Sequence, residues 1–476
     1  MNLFINFLPL ESARFSTDFS LMNDWTNKLQ FFTGIDIIMT IMWLVISIVI
    51  LQFIKGLNRE KEYYKYYMWN FYFHLFFAVT YSIYYIFFVQ GGDCVAYWDA
   101  SLRLTNLLYQ NPENYFHELF QYQGSKDYIN YYNNVTGIPP DWIAKEREGY
   151  FCAKIYSFFN PFTQGSFFAL VVITSLISSI ASFHLFDFLK RNSPFATRNS
   201  SILILFIPSV AFWCSGISKD VIIYTITCII IPIFFQFNKE KEKRLKRILI
   251  LILCFYITYK IRDFMLLVFI IPLVFTYNLR LSRYLFEGAF MQQLSRVLLV
   301  AISIFTIGLF IGKKGDELKK QAEQQYQEFN SKSYTGKKFQ IGESDFSNLG
   351  ILKMAPMAIF SAVFRPLPWE ALSPGLIING IESVFLIVLL LQFIRKNFWS
   401  KVSFLRNDQT TVYFIYFVLI LAVITGITSV LFGVLVRVRA PLLPFFLFLL
   451  LIPKKIEFPA GENSENATDD HVQLKS

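Results

Sequence analysis

Charged side chains are scarce in this sequence, because Asp, Glu, Lys and Arg together account for only 16% of its 476 residues. Hydrophobic residues make up 54% and aromatic residues 18%, whereas an average soluble domain carries about 25% charged residues. This composition argues against a soluble fold for a chain of this length. The alternating pattern of barrel strands is almost absent, while apolar runs of roughly 20 residues recur. We therefore predict an all-α integral membrane protein, a bundle of about 11 transmembrane helices.

Cysteine and histidine are also few, with five and four copies respectively. They are dispersed, and no Cys-x-x-Cys pair or His/Cys cluster has the spacing of a zinc site. We therefore predict no metal site, and the sequence identifies no cofactor. Cys94 and Cys152 share one predicted outer loop, where a disulfide and two unpaired side chains both remain open.

The apolar runs divide the chain into three parts. Residues 1–30 lack the basic start of a signal peptide and are predicted to form an outer, interfacial segment. Residues 31–455 form the polytopic membrane domain, and residues 456–476 form a disordered cytoplasmic tail. The predicted spans are 31–54, 66–89, 165–189, 201–217, 221–237, 248–259, 264–279, 297–312, 375–394, 411–434 and 440–453.

The positive charges predict the orientation of these spans. A net charge of +10 would suit a nucleic-acid partner, but the basic residues cluster beside helix ends, where the positive-inside rule expects them. We therefore predict no nucleic-acid binding. The basic connections alternate along the chain and can all be cytoplasmic at once, which places the N-terminus outside and the C-terminus inside. Two long outer loops follow, near residues 90–164 and 313–374.

A second topology remains open for the middle of the chain. In this alternative, residues 248–279 form one interrupted helix and residues 350–364 form a span. The lysine-rich loop that begins at Lys313 then moves inside, but the connection at 280–296 moves outside with its arginines. We prefer the first topology because long loops translocate with little regard to charge.

Polar motifs converge on the predicted outer face. Asp93 follows Gly91 and Gly92 directly after the second span, so a carboxylate emerges on a pliable turn at the membrane surface. Glu382 lies about two turns inside the ninth span. The other charged groups of these short outer connections are Lys219, Asp220, Arg262, Arg365, Glu370, Arg437 and Arg439.

These positions are functional candidates because cations are disfavoured at short outer turns and ionisable groups within the membrane are costly. Together they predict one basic cavity, in which guanidinium groups bind the phosphates of a polyprenyl-linked sugar and Asp93 acts as general base toward an acceptor hydroxyl. The structural alternatives are an Asp93 turn cap, mutual pairing within Lys219/Asp220 and Arg262/Asp263, and arginines that reach lipid headgroups.

The combination of these motifs resembles bacterial envelope-polysaccharide membrane proteins. The motifs are the Gly-Asp turn with Tyr97-Trp98, the turn from Ser215 to Asp220, the Ile261-Arg262 turn and Phe364-Arg365-Pro366-Leu367-Pro368-Trp369-Glu370. The families are the C-type multispan glycosyltransferases and the O-antigen or exopolysaccharide polymerases.

The resemblance implies specific roles for several residues. In the C-type glycosyltransferases the catalytic carboxylate lies in the first outer loop, and Asp93 is the matching position here. The usual paired acidic residue is absent beside it, and Asp99 is the nearest substitute. In the polymerases, outer-face arginines handle the lipid-linked donor and acceptor, roles that Arg262, Arg365, Arg437 and Arg439 match.

The leading hypothesis is an enzyme of the bacterial cytoplasmic membrane that transfers or polymerises sugars from a polyprenyl-linked donor at the outer face. Its expected partners are membrane lipid, the polyprenyl-linked saccharide and polysaccharide-assembly proteins. A second hypothesis is a flippase or transporter of anionic lipid-linked substrates, which would carry ionisable groups near the bilayer midplane. A noncatalytic assembly protein is a third.

Overall fold

The computed structural model describes residues 28–121, 128–133, 135–192, 199–237, 241–285, 338–339, 348–371, 373–395 and 398–451, together with single helical positions between 291 and 327. Within these ranges the chain forms helices and turns without a strand, and the one isolated bridge joins Lys338 to Leu431. This architecture agrees with the predicted all-α class.

The longer helices are α1 Gly34–Leu57, α2 Tyr66–Ile83, α3 Asp93–Gln110, α4 Pro112–Phe120, α5 Arg147–Ser157, α6 Phe167–Asn192, α7 Lys219–Gln236, α8 Arg244–Ile261, α9 Phe264–Leu285, α10 Asn348–Phe364, α11 Pro374–Arg395, α12 Phe398–Asn407, α13 Gln409–Thr428, α14 Phe432–Arg439 and α15 Leu443–Leu450. Shorter helices are Asp141–Lys145, Asn160–Thr163 and Pro208–Trp213. Short 3-10 or π turns are Lys28–Phe31, Glu62–Lys65, Tyr84–Val89, Tyr128–Tyr131, Asn199–Leu205, Lys241–Lys243 and Ala440–Leu442.

Among the described residues, seven helices are long and apolar enough to cross a membrane. They are Lys28–Leu57, Glu62–Val89, Phe167–Asn192, Lys219–Gln236, Pro374–Arg395, Gln409–Thr428 and Phe432–Leu450. Three shorter apolar helices are Ser201–Trp213, Phe264–Asn278 and Gly350–Phe364. The predicted span at 297–312 lies outside the described residues.

Two helices show how the apolar surface is distributed. Helix α6 is buried along most of its length and packs against α1, α2 and α7, so it lies at the centre of this group of four helices. Helix α1 begins with a capping box between Thr33 and Asp36 and buries few of its residues. Its exposed face is apolar, with Ile38 and Phe53 about two-thirds exposed, as expected for a helix that contacts lipid.

The middle of the chain has the two separate helices predicted within 248–279 but differs from the predicted span at 201–217. Residues 248–279 form two helices, α8 and α9, because the chain leaves the helical path at Arg262 and Asp263. The predicted span at 201–217 is broken before Pro208 and ends at Trp213. Proline lacks the amide hydrogen that would continue a helix through this point, which explains the break.

Helix α10 lies within the stretch that we predicted to be the outer loop at 313–374. It packs closely along α13, where Gly426 allows the two backbones to approach. An alanine Cβ at Gly426 would lie 2.3 Å from the carbonyl oxygen of Ala358. This segment is therefore part of the packed bundle.

The first predicted outer loop, 90–164, contains a layer of helices. Helix α3 packs against α5 and is buried along most of its length. The indole Nε1 of Trp98 donates a hydrogen bond to the carbonyl of Gly165 at 3.0 Å, which ties α3 to the start of α6. The layer thus holds the first turn of α3 in a defined place.

Candidate functional site

Asp93 is the first residue of α3, and the two glycines before it shape the approach to that helix. Gly91 and Gly92 have φ angles of 142° and 77°, a region that other residues rarely adopt. A Cβ at Gly92 would also lie 3.0 Å from the Tyr85 ring. The partial positive charge of the helix N-terminus favours the ionised carboxylate of Asp93.

Asp220 is the second residue of α7 and so also lies in the first turn of a helix. The Ser218 hydroxyl accepts a hydrogen bond from the amide of Val221 at 3.1 Å and so caps the helix. The Asp220 side chain is completely buried. Its Oδ1 accepts from Nη2 of Arg262 at 2.5 Å, and its Oδ2 accepts from Nε of Arg437 at 3.0 Å.

Arg437 joins these two carboxylates. While its Nε donates to Asp220, its Nη2 donates to Oδ2 of Asp93 at 2.9 Å. Its guanidinium carbon also lies 5.9 Å from the ring centroid of Trp213. One arginine on α14 therefore connects the starts of α3 and α7, which are far apart in the chain.

Lys219 extends this cluster toward the helical layer. Its Nζ lies 2.6 Å from Glu146 and 3.4 Å from Glu148, and 5.9 Å from the ring centroid of Tyr97. The two glutamates are about one-third exposed, whereas Lys219 is largely covered. We call the set Asp93, Glu146, Glu148, Lys219, Asp220, Arg262 and Arg437 the ion network.

Sequence reasoning missed Glu146 and Glu148. They lie in the mixed-charge run Lys145-Glu146-Arg147-Glu148, which has the composition of an ordinary exposed turn. The only useful signal was their position in the outer loop that begins with Asp93. Contact with Lys219 depends on how the helical layer folds back onto the bundle.

The ion network holds one more carboxylate than cations, whereas the sequence predicted one basic cavity. The four carboxylates are those of Asp93, Asp220, Glu146 and Glu148, and the three cations are Lys219, Arg262 and Arg437. The physical reason is the cost of leaving a buried charge unpaired, which amounts to several kcal/mol. The sequence neighbours Lys219/Asp220 and Arg262/Asp263 pair with other residues rather than with each other. Arg262 pairs with Asp220, and Asp263 lies 3.5 Å from Arg147.

Asp93 is the carboxylate of the network best placed for chemistry. Arg437 holds one oxygen, and the side chain remains 32% exposed. Burial alone would raise the pKa of Asp93, but the positive charges of Arg437 and Lys219 outweigh it, so the pKa is lowered. The carboxylate is therefore ionised at neutral pH and can accept a hydrogen bond from a substrate hydroxyl.

Arg365 and Glu370 form a separate pair beside α14. Nε of Arg365 donates to Oε1 of Glu370 at 3.0 Å, and the amide of Leu367 donates to Oε2 at 2.9 Å. The guanidinium also lies 4.9 Å from the ring centroid of Phe339 and 5.2 Å from that of Phe432. This stacked arrangement fixes the Arg365 side chain.

Arg439 and Glu382 are both buried in the bundle. Residues two apart on a helix point about 200° from each other, so Arg439 faces away from Arg437. Nη1 of Arg439 donates to the backbone carbonyl of Arg365 at 2.5 Å. Oε2 of Glu382 accepts from the amide of Ser209 at 3.1 Å.

Asp99 does not join the ion network. It lies six residues beyond Asp93 on α3 and is buried, and its Oδ1 accepts from Nε and Nη2 of Arg103 at 3.1 and 2.9 Å. This pair lies one turn apart on the same helix, a spacing typical of structural ion pairs. The structure thus separates the two carboxylates that the sequence suggested as catalytic partners.

The described residues contain no group of three or more His, Cys, Asp or Glu side chains able to hold a metal ion. Cys94 and Cys152 are both buried and unpaired. No protein-family model, curated protein or solved structure matches this chain.

Proposed function

We propose that the ion network is the reaction centre of an envelope-glycan enzyme, which transfers or polymerises sugars from a polyprenyl-linked donor. The observation that carries this proposal is the accessible, ionised carboxylate of Asp93, held by Arg437 beside the cation of Lys219. Sugar transfer from a lipid phosphate requires both a group that receives a hydroxyl proton and a cation near the departing phosphate.

In this proposal the acceptor hydroxyl donates a hydrogen bond to Asp93. Its oxygen forms a bond with the anomeric carbon of the donor, while the bond between that carbon and the phosphate oxygen breaks. The hydroxyl proton passes to Asp93, and the electron pair leaves with the phosphate or pyrophosphate. Because the hydroxyl becomes acidic only as the new bond forms, even a carboxylate of low pKa suffices as base.

Lys219 is the cation proposed to meet the leaving group. Its contact with Glu148 is the longer of its two, at 3.4 Å, and a lysine ammonium moves readily on its flexible stem. Arg437 instead pairs with both Asp220 and Asp93, and Arg262 pairs with Asp220. They hold the network in place.

The proposed setting is the bacterial cytoplasmic membrane, with about 11 spans, an outer N-terminus and a cytoplasmic C-terminus. The ion network then lies at the outer face, where a flipped lipid-linked sugar is presented. The motif resemblance to C-type glycosyltransferases and polysaccharide polymerases supports this setting. Polysaccharide-assembly proteins are the partners that we propose for it.

The test compares the surface glycan of a deletion strain complemented with single variants. We expect Asp93→Asn to abolish glycan or to shorten its chains, because an amide cannot receive the proton. Asp141→Asn is the matched control, since Asp141 is an exposed carboxylate of the same helical layer that pairs with Lys145. Glycan of normal amount and length in the Asp93 variant, at equal membrane levels of protein, would refute the proposal.

A transporter of anionic lipid-linked substrates is the second candidate. Glu382 and Arg439 favour it, because both are buried ionisable groups within candidate membrane spans. Proteoliposomes containing labelled lipid-linked sugar separate the two functions. Translocation of the label without a new glycosidic bond would favour transport, and a new bond would favour the enzyme.

A further inference from the structure

Two glutamates cover the lysine to which we assign the leaving phosphate. The side chains of Glu146 and Glu148 are 39% and 32% exposed, whereas that of Lys219, which both contact, is only 12% exposed. Their carboxylates lie 2.6 and 3.4 Å from its Nζ. We call Glu146 and Glu148 the glutamate pair. The pair occupies hydrogen-bonding positions on Lys219 that a phosphate would otherwise fill.

Lys219 depends on such anions because of its place in the fold. It is the first residue of α7, and the partial positive charge of a helix N-terminus disfavours a cation there. Its neighbour Asp220 pairs with Arg262 and Arg437 instead. An anion is therefore needed beside Lys219 whether or not a substrate is bound.

The charge of the ion network determines how a phosphate can enter it. The network already holds four carboxylates and three cations, so a phosphate added to it would meet net negative charge. Exchange for a carboxylate avoids that repulsion. Asp93 and Asp220 are held by arginines, whereas among the described residues the glutamate pair forms its ion pairs with Lys219. The glutamate pair is therefore the part of the network that can exchange.

The backbone beneath the glutamate pair is anchored, although the side chains reach solvent. Glu146 lies between the helix Asp141–Lys145 and α5, and its carbonyl accepts from the amide of Tyr150 at 3.0 Å. Arg147, between the two glutamates, donates to the carbonyl of Tyr259 at 3.1 Å. Exchange at Lys219 thus needs only rotation of the glutamate side chains, and the helical layer stays folded.

Gly149 supplies the space into which the Glu146 side chain folds. It is buried in the first turn of α5, where helix propensity alone would favour alanine. A Cβ there would lie 2.5 Å from Oε2 of Glu146 and 3.3 Å from the Tyr97 ring. Because the nearer atom ends a flexible side chain, an alanine at this position would displace the Glu146 carboxylate from Lys219 while α5 keeps its place.

We propose that the glutamate pair competes with the leaving phosphate for Lys219 and thereby releases the product of the reaction. This inference rests on the proposed function. When the donor binds, its phosphate replaces the glutamates at Lys219. Cleavage then adds negative charge to that phosphate, because its oxygen keeps the electron pair of the broken bond. The tethered carboxylates, present at high effective concentration, return and displace a product that Lys219 would otherwise hold more tightly than the donor.

Binding of polyprenyl phosphate to the full chain in phosphatidylcholine nanodiscs tests this competition. We expect Glu146→Gln to tighten the binding at least about threefold, because an amide competes less well than a carboxylate for an ammonium. Gly149→Ala should also tighten it, although this variant keeps every charge of the network. The controls are Glu113→Gln, at an exposed position of the same helical layer, and Gly56→Ala, whose Cβ would meet no atom within 4 Å. Both should bind as the wild type does.

A second measurement identifies Lys219 as the point of competition. In a Lys219→Gln background, the added Glu146→Gln substitution should no longer tighten binding, whereas a general effect of charge would persist. Phosphatidylglycerol at equal concentration should leave most of the polyprenyl phosphate bound, because its phosphate is a diester with a single charge.

Four outcomes would overturn the competition. They are wild-type or weaker binding by Glu146→Gln, the same result for Gly149→Ala, a gain in affinity that persists without Lys219, and full displacement by phosphatidylglycerol. Weaker binding would show that the glutamate pair merely holds Lys219 in place, and full displacement would assign the site to a bilayer lipid. Because Gly149→Ala keeps both carboxylates, it decides the question even where Glu146→Gln fails to fold.

Failure of this inference is distinguishable from failure of the proposed function. Glycan of normal amount and length in Asp93→Asn, together with tighter binding in Glu146→Gln, would refute the reaction centre and leave the competition for Lys219 standing. Loss of glycan in Asp93→Asn, together with wild-type binding in Glu146→Gln, would refute the competition alone.

Discussion

At the scale of single residues, Arg437 is the position on which the ion network depends. Its guanidinium forms ion pairs with both Asp93 and Asp220, and Asp220 is completely buried. We expect Arg437→Met to destabilise the protein by about 3–5 kcal/mol, because it leaves buried carboxylate oxygens unpaired. Thermal unfolding in detergent measures this loss.

The control for that substitution is Arg395→Met, which removes an exposed arginine from the end of α11. Its expected effect lies within about 0.5 kcal/mol of the wild type. Equal unfolding temperatures for the two variants would show that the network contributes no stability.

Lys154 predicts a dependence of stability on alkaline pH. Burial lowers its pKa from 10.5 to about 8, although the charge of Glu118 partly opposes this. Between these two values the unfolded chain binds more protons than the folded protein, so stability rises with pH across this window. Below the folded-state pKa the cost of the buried charge is constant.

The measurement compares the unfolding temperature of the wild type and of Lys154→Met from pH 7 to pH 10. We expect the unfolding temperature of the wild type to rise relative to that of Lys154→Met as pH rises above about 8. Lys154 donates to the carbonyl of Gln121 at 2.9 Å, so the variant also removes one hydrogen bond. Loss of that hydrogen bond changes the separation between the two curves of unfolding temperature against pH by the same amount at every pH. A separation that stays constant over the whole range would therefore contradict the titration of Lys154.

At the scale of helices, the crossing of α10 with α13 decides whether residues 348–364 belong to the bundle. Gly426 lies at this crossing. A Cβ atom built on Gly426 would lie 2.3 Å from the backbone oxygen of Ala358. Since the obstacle is backbone, Gly426→Ala must push the helices apart, with an expected cost of about 1–3 kcal/mol. Unfolding in detergent measures this cost.

Gly433→Ala is the matched control, because no atom lies within 4 Å of a Cβ built there. It should leave the unfolding temperature nearly unchanged or raise it slightly, as expected for glycine replacement within a helix. If both variants unfolded together with the wild type, close packing of α10 on α13 would be contradicted.

At the scale of the whole molecule, the orientation in the membrane is open to a direct test. The native cysteines are all buried, so an exposed introduced cysteine should dominate labelling by a membrane-impermeant maleimide. We expect Asp141→Cys to react in intact cells and Glu242→Cys to react only after permeabilisation. Both positions are exposed on the protein surface.

Met291→Cys separates the two topologies of the middle region, because residue 291 is exposed and lies in the connection whose side they disagree on. Our preferred topology protects it in intact cells, and the alternative exposes it. Labelling of Glu242→Cys before permeabilisation would instead show that the whole chain has the opposite orientation in the membrane.

The sequence alone determined the class of this protein and the positions of most of its long helices. Apolar runs near 31–54, 66–89, 165–189, 221–237 and 375–394 coincide with candidate spans, since burial in lipid requires a continuous apolar surface that composition displays directly. Helix α10 was harder to predict, because Lys353 and Pro356 interrupt its apolar run. Close packing along α13 compensates for those interruptions.

The sequence also singled out the motifs around Asp93, Asp220, Arg262 and Arg437, because charges at short turns between spans are conspicuous. Only the tertiary structure decided how they pair. Arg262 meets Asp220 rather than its neighbour Asp263, Glu146 and Glu148 neutralise Lys219, and Asp99 turns away toward Arg103. Ion pairing depends on distances of a few ångströms between helices, and those distances follow from packing of the whole bundle rather than from any local pattern.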